Sequence, residues 1–174
     1  MGDRLVLLGS SGLHSNGYSL FRHVLDGAGW ALDREVAELG RTVGEELLEP
    51  TTVYARDCLA LAAGVEVHAM AHVTGGGLAA NLARVLPVGL AATIDRGTWS
   101  LPPIFSLVGT LGAIDERELE ATLNMGVGMV AVVAPDASDA AVALLADRGV
   151  PAWIGGSIES AQGTGGAVLV GSYA

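Results

Sequence analysis

The stretch GVGMVAVVA, Gly126 to Ala134, decides the fold class of this sequence. Written as a strand, it is apolar on both faces, and such strands lie inside sheets that are covered on both sides. An amphipathic helix is predicted directly after it, from Asp136 to Arg148, with Ala141, Leu144 and Leu145 on the apolar face. We therefore expect a sheet against which helices pack.

The rest of the chain alternates strands and helices around this buried strand. Strands are predicted near Arg4–Leu8, in VEVHAMAHV at 65–73, and near Gly89–Ile94, Ala152–Ile158 and Ala167–Gly171. Helices are predicted over Gly17–Ala28, from Pro50 to about Ala63, and over Leu78–Leu86, Pro103–Leu111 and Asp115–Leu123. The pattern predicts an α/β (α+β) fold in which one domain, residues 1–174, holds a mixed sheet covered by helices. SAQGTGGA, residues 160–167, is expected to be a flexible hairpin loop.

The composition and charge of the chain exclude several classes of binding site. The 174 residues carry a net charge of −10, and all nine basic residues are arginines. The chain therefore has no lysine for a P-loop or a Schiff base, and no broad basic patch for nucleic acid. No apolar run is long enough to suggest a membrane span, so a cytoplasmic protein that binds no membrane is expected. The single cysteine, Cys58, cannot form an internal disulfide and is predicted to be a buried thiol beside Tyr54 and Leu61.

The opening loop, SSGLHSNG at 10–17, places polar residues between the first strand and the first helix. Helix starts carry unpaired N–H groups and a partial positive charge, which favour phosphate. Ser15 or Asn16 can cap the helix, and glycine permits tight turns and close approach of a ligand. The alternative is an ordinary capped helix, which explains one polar side chain but not five. The candidate phosphate-binding residues here are Ser10, Ser11, Gly12, Ser15, Asn16 and Gly17.

The glycine turn, Thr74–Gly77, leaves a strand and enters a helix in the same way. Thr74, Gly75, Gly76 and Gly77 are candidate ligand-binding residues, because three consecutive glycines are costly to order and suggest backbone contact with a ligand or a very close chain crossing. Neither loop is a Walker loop or a dinucleotide fingerprint.

Alternation in VEVHAMAHV is expected to place Glu66, His68, Met70 and His72 on one strand face. Because His68 and His72 lie about 13 Å apart along a strand, they cannot bind one metal ion, and no metal site is predicted. His68 and His23 are expected at the surface. We expect the two loops to lie side by side, with His14 and His72 facing one cleft, because parallel strands end at the same sheet edge. The alternative is that a mixed sheet reverses one strand and separates the loops, with His14 solvated and His72 only capping the sheet edge.

Five separated motifs resemble the C-terminal half of the phosphoribosylformylglycinamidine cyclo-ligase, or aminoimidazole ribonucleotide synthetase, family. They are SSGLHSNGYSL, GEELLEPT, MAHVTGGGLAANLARVLP, PPIF and NMGVGM, in this order across essentially the whole chain. The resemblance implies an enzyme of purine synthesis in which ATP, with magnesium, activates the formyl oxygen of formylglycinamidine ribonucleotide before ring closure. It also implies that both loops and Asn124 line the substrate and phosphate cleft, with His14 and His72 as candidate catalytic groups.

Members of this family also carry an N-terminal ATP-binding domain, which holds most ATP and metal ligands and builds a homodimer. That domain is absent from this sequence, so the resemblance implies a substrate-side fragment that is inactive by itself and needs that domain as its partner. The alternative is a stand-alone phosphate-binding, nucleotide-binding or assembly domain without catalysis.

Overall fold

The computed structural model of the chain describes residues 2–163 and 165–174. The strands are β1 (Arg4–Gly9), β2 (Glu35–Val36), β3 (Arg41–Thr42), β4 (Val67–His72), β5 (Leu90–Asp95), β6 (Val127–Val133), β7 (Ala152–Ser160) and β8 (Gly166–Val170). The helices are α1 (Tyr18–Ala28), α2 (Val43–Leu47), α3 (Ala55–Gly64), α4 (Gly77–Ala83), α5 (Pro103–Gly112), α6 (Glu116–Thr122) and α7 (Ser138–Asp147). In the described part of the chain, no helix is both long and apolar enough to cross a membrane.

Six strands form one mixed sheet in the order β4-β6-β1-β7-β5-β8, while β2 and β3 form a separate ribbon. Both β1 and β4 pair antiparallel with β6, which lies between them. They therefore run in the same direction and end at the same edge of the sheet, where β6 begins. The predicted mixed sheet is confirmed, and this edge carries the candidate loops.

Helices cover the sheet and extend beyond its edge. One face of the sheet packs against α4, through Leu78 and Leu82. The opposite face packs against α3 and α7, through residues such as Leu61 and Leu145. A third apolar cluster, with Phe105 among its buried side chains, joins α1, α5 and α6. The buried strand β6 contributes to both sheet faces, as its apolar sequence predicts.

Two predicted elements are wrong. The helix expected from Pro50 begins instead at Ala55, because Pro50 and the residues after it run beside the opening loop, where Ser11 Oγ donates to the Pro50 carbonyl oxygen at 2.6 Å. The hairpin expected between β7 and β8 is also wrong, since β5 lies between these strands and pairs with both. Thr164 of that loop lies outside the described residues.

The predicted alternation along β4 holds for only part of the strand. The pairing register with β6 shifts between Val67 and Ala69, so Val67 and Met70 share the face packed against α3, whereas Ala69 and Ala71 face α4. The shift leaves His68 at the surface, as predicted, where its ring nitrogens contact two carboxylates, Asp3 and Glu66.

Two further predictions concern the exposure of single side chains. His23 is exposed, as expected. Cys58 packs beside Tyr54 and Leu61 as predicted, but it is half-buried rather than fully buried. Burial raises the pKa of the Cys58 thiol, which keeps it protonated and unreactive near neutral pH.

Candidate functional site

The opening loop follows β1 and presents an uncapped helix start. Gly17, with φ of 87°, is the N-cap of α1, and no side-chain cap is present among the described residues. The predicted capping by Ser15 or Asn16 is therefore wrong: the Ser15 hydroxyl contacts Thr51 Oγ1, and Asn16 Nδ2 donates to the Thr122 carbonyl oxygen. In the described part of the chain, the first turn of α1 thus begins without a capping side chain.

Asn124 holds the opening loop in place from the loop before β6. Its side chain is 1% exposed, and its Nδ2 donates to the carbonyl oxygens of Gly12 and Leu13. Its Oδ1 accepts from the Gly126 amide and from the Ser10 hydroxyl. Because both polar atoms of the side-chain amide are used in these hydrogen bonds, Asn124 fixes the backbone of the opening loop relative to the start of β6.

His14 lies inside the opening loop and is 6% exposed. The Ser11 backbone N–H donates to His14 Nε2 at 3.1 Å, while Nδ1 is buried and has no hydrogen-bond partner among the described residues. Burial, and secondly the proximity of His72, lowers the pKa of His14. The protonated imidazole is therefore disfavoured at this position. The backbone of His14 also adopts a φ of 59°, which is uncommon for a residue with a side chain.

The glycine turn follows β4 and is fixed by Asn81 of α4. Asn81 is buried, and its Nδ2 donates to the Gly77 carbonyl oxygen at 2.7 Å and to the carbonyl oxygens of Thr74 and Gly75 at longer distances. A Cβ at Gly77 would lie 1.7 Å from the Glu120 carbonyl oxygen. The close chain crossing considered for this turn is therefore present at Gly77, where the turn passes α6.

The two loops meet at the sheet edge, as predicted. A Cβ built at Gly75 would lie 3.6 Å from Asn16 Oδ1. The Tyr54 ring lies beside both histidines, with centroid distances of 6.0 Å to His14 and 6.5 Å to His72. The histidines differ in exposure, however, because His72 is exposed and His14 is buried.

A cavity of about 380 Å³ adjoins His72. Its lining is mostly apolar and consists of Thr52, Val53, Tyr54, Ala55, Cys58, His72 and Met129. The Tyr54 hydroxyl donates a hydrogen bond to the Gly9 carbonyl oxygen at 2.6 Å. Burial raises the pKa of Tyr54 to about 12, so its side chain is uncharged where it lines the cavity.

A smaller cavity of about 210 Å³ lies where Ser10, Ser11 and Gly12 meet Arg41 and Glu46. Arg41 is already paired, since its guanidinium contacts Glu46 and Glu49 at 2.6 Å each. In the described residues, no three His, Cys, Asp or Glu side chains are grouped so that they could hold a metal ion.

Three functional features are not predicted by the sequence patterns. Asn81 and Tyr54 are not identified as site residues, although Asn81 follows the glycine turn within one helical turn of Gly77. The contribution of the end of α6 to the site is not predicted either. Its last turn supplies the Thr122 carbonyl oxygen to Asn16 and the Glu120 carbonyl oxygen beside Gly77, so it holds both loops at once.

The sequence matches the family described as AIR synthase related protein, C-terminal domain, over residues 1–168. The chain belongs to this family. It is 63% identical over 178 residues to a putative phosphoribosylformylglycinamidine cyclo-ligase of Streptomyces fradiae, covering 99% of this chain and 98% of that protein. It is 47% identical to the phosphoribosylformylglycinamidine cyclo-ligase of Symbiobacterium thermophilum, covering 97% of this chain and 49% of the relative. The chain thus spans about half the length of such longer relatives and resembles their C-terminal part.

Solved structures agree on the fold. Thiamine-monophosphate kinase from Stenotrophomonas maltophilia superposes with a TM-score of 0.59 at 25% identity, and the match covers 100% of this chain and 52% of the kinase. The hydrogenase maturation protein HypE of E. coli gives a TM-score of 0.58 at 22% identity, over 99% of this chain and 47% of HypE. The architecture described above is therefore shared with half of each of these larger proteins.

Proposed function

We propose that this chain is the substrate-side half of an ATP-dependent cyclo-ligase. The complete enzyme would convert formylglycinamidine ribonucleotide to aminoimidazole ribonucleotide in purine biosynthesis. The observation that carries the proposal is the meeting of the opening loop and the glycine turn at one sheet edge. The first of these loops leaves the N-terminus of α1 without a side-chain cap, and such helix ends stabilise phosphate. We infer that the phosphoribosyl group of the substrate binds between the two loops.

The residues around this edge divide into those that face a ligand and those that hold the loops. His72 is exposed beside the apolar cavity and is the group placed to exchange a proton with a bound substrate. Gly75 presents backbone to the space between the loops. Asn81 bonds to the backbone of the glycine turn, and Asn124 bonds to the backbone of the opening loop.

ATP and magnesium belong, in this proposal, to an N-terminal partner half. The described residues offer no lysine and no grouped acidic or histidine ligands for a metal ion, so the side chains that hold magnesium triphosphate would come from the partner half. We infer that the complete enzyme is a cytoplasmic homodimer and that this half, alone, closes no ring.

The proposal can be tested by substitution at Gly75, where added bulk is tolerated by the fold. A Cβ there meets only ordinary van der Waals contact, at 3.6 Å from Asn16 Oδ1. The alanine variant Gly75→Ala should therefore unfold like the unaltered chain but bind formylglycinamidine ribonucleotide at least about tenfold more weakly, because a ligand must approach this backbone closely. Gly27→Ala is the matched control, since a Cβ at Gly27 meets nothing within 4 Å.

Binding is measured by calorimetry and mapped by amide chemical shifts. Shifts concentrated in the opening loop and the glycine turn, and lost in Gly75→Ala but not in Gly27→Ala, support the proposal. Equal affinity in both variants, or shifts confined to surface arginines, would contradict it. A chain that binds the ligand without supporting ring closure when the partner half is supplied would instead be a binding domain.

A further inference from the structure

His14, one of the two histidines beside Tyr54, has its hydrogen-bonding state set by the backbone. Nε2 of His14 already accepts the Ser11 backbone N–H at 3.1 Å. A nitrogen that accepts from an amide holds its lone pair free of a proton, so the neutral ring must carry its proton on Nδ1. The bond from Ser11 thus selects one tautomer of His14.

Protonation of His14 would break this arrangement. A second proton on Nε2 would point at the Ser11 N–H. The resulting cation would be buried beside Tyr54, and the proximity of His72 would disfavour it further. The pKa of His14 is lowered accordingly, by burial first and by His72 second. Of the other groups beside it, Tyr54 stays neutral because burial raises its pKa.

The surroundings of His14 also keep the proton on Nδ1 from exchanging with solvent. That atom is buried and has no partner in the described part of the chain, and a Cβ at Gly128 of β6 would lie 2.7 Å from His14 Cε1, so the ring is packed against the strand. His72, by contrast, is exposed and lines the apolar cavity. One histidine is closed to solvent and the other is open to it.

We propose that His14 is a positioning residue, held in the Nδ1–H tautomer to fix the Ser11 amide, and that His72 is the histidine open to a bound substrate. The role of His72 toward a substrate rests on the proposed function. The tautomer of His14 does not, because it follows from contacts within the chain. The two histidines, equivalent in the sequence motifs, thus have separate roles.

The tautomer is read directly by long-range ¹H–¹⁵N correlation spectra of the chain labelled in histidine. Single Gln variants of His14, His23, His68 and His72 assign the four rings. We expect His14 to show a protonated Nδ1 and an unprotonated Nε2 near neutral pH. An Nε2–H tautomer at His14, or a His14 ring protonated on both nitrogens near neutral pH, would overturn the proposal.

Hydrogen exchange at the Ser11 amide tests the positioning role separately. His14→Phe keeps a ring but removes the acceptor, so the Ser11 amide should exchange at least about tenfold faster. His14→Gln offers a carbonyl oxygen near the Nε2 position and should restore most of the protection, and His72→Gln should leave it unchanged. Equal protection in the Phe and Gln variants would refute the role of the Nε2 acceptor. If a His14 variant fails to fold, the spectra of the unaltered chain still decide the tautomer. Neither readout requires substrate, so they can fail while ligand binding at the loops stands.

Discussion

Gly77→Ala is predicted to destabilise the chain strongly, because two costs fall on one position. Gly77 has a φ of 73°, which side chains rarely adopt, and that strain costs about 1–2 kcal/mol. The new Cβ would also lie 1.7 Å from the Glu120 carbonyl oxygen, which is backbone and cannot rotate away. Pushing α4 away from α6 should cost a further 1–3 kcal/mol or so, as overpacking does elsewhere. The expected loss in free energy of unfolding is therefore about 2–5 kcal/mol.

Gly149→Ala separates the two costs. Gly149 has a similar φ of 76°, but a Cβ there meets nothing within 4 Å, so only the strain of about 1–2 kcal/mol applies. Urea unfolding of both variants gives the difference, which should be about 1–3 kcal/mol with an unchanged dependence on urea. In a chain of this size, the same difference lowers the melting temperature by several degrees. Equal stabilities of the two variants would refute the close crossing at Gly77.

Other predictions concern hydrogen bonds and charge. Asn124→Ala should lower the free energy of unfolding by about 2–4 kcal/mol, measured in urea, because two buried loop carbonyls lose their donor. Arg96→Met should cost about 3 kcal/mol in the same assay, since the largely buried carboxylate of Glu120 loses its guanidinium partner and keeps the Tyr173 hydroxyl as a donor. The pKa of His68 is raised by Glu66 and then by a second carboxylate, so its contribution to stability is complete below about pH 6.5 and is lost as pH rises through the folded-state pKa. Unfolding midpoints from pH 5.5 to 8.5 should therefore depend less on pH in His68→Gln than in the unaltered chain.

Local patterns in the sequence predict most of the sheet and the place of the site. The run Gly126–Ala134 is apolar on both strand faces, and the structure buries it between two layers of helices. The convergence of the two loops followed from their shared strand-to-helix form. Its actual cause is more specific, because β1 and β4 run in parallel on either side of an antiparallel β6.

Contacts between distant residues explain what sequence could not supply. The helix expected at Pro50 begins at Ala55 because the segment before it bonds to the opening loop, 39 residues away in sequence. The amide of Asn124 bonds to loop backbone more than a hundred residues away, a contact that no local sequence pattern predicts. The state of His14 depends on one backbone N–H three residues earlier, and no residue pattern reports the geometry that brings them together.

If this chain supplies the substrate side of a cyclo-ligase, an ATP-binding half should restore its turnover. The experiment joins it to the N-terminal half of the Symbiobacterium thermophilum relative, whose remaining half is 47% identical to this chain, and measures ATP-dependent ring closure of formylglycinamidine ribonucleotide. We predict turnover by the joined protein, none by the 174-residue chain alone, and a loss of roughly 10²-fold or more in activity when His72→Ala is introduced. Ring closure by the chain alone, or a joined and folded protein that binds ATP but does not turn over, would contradict the claim.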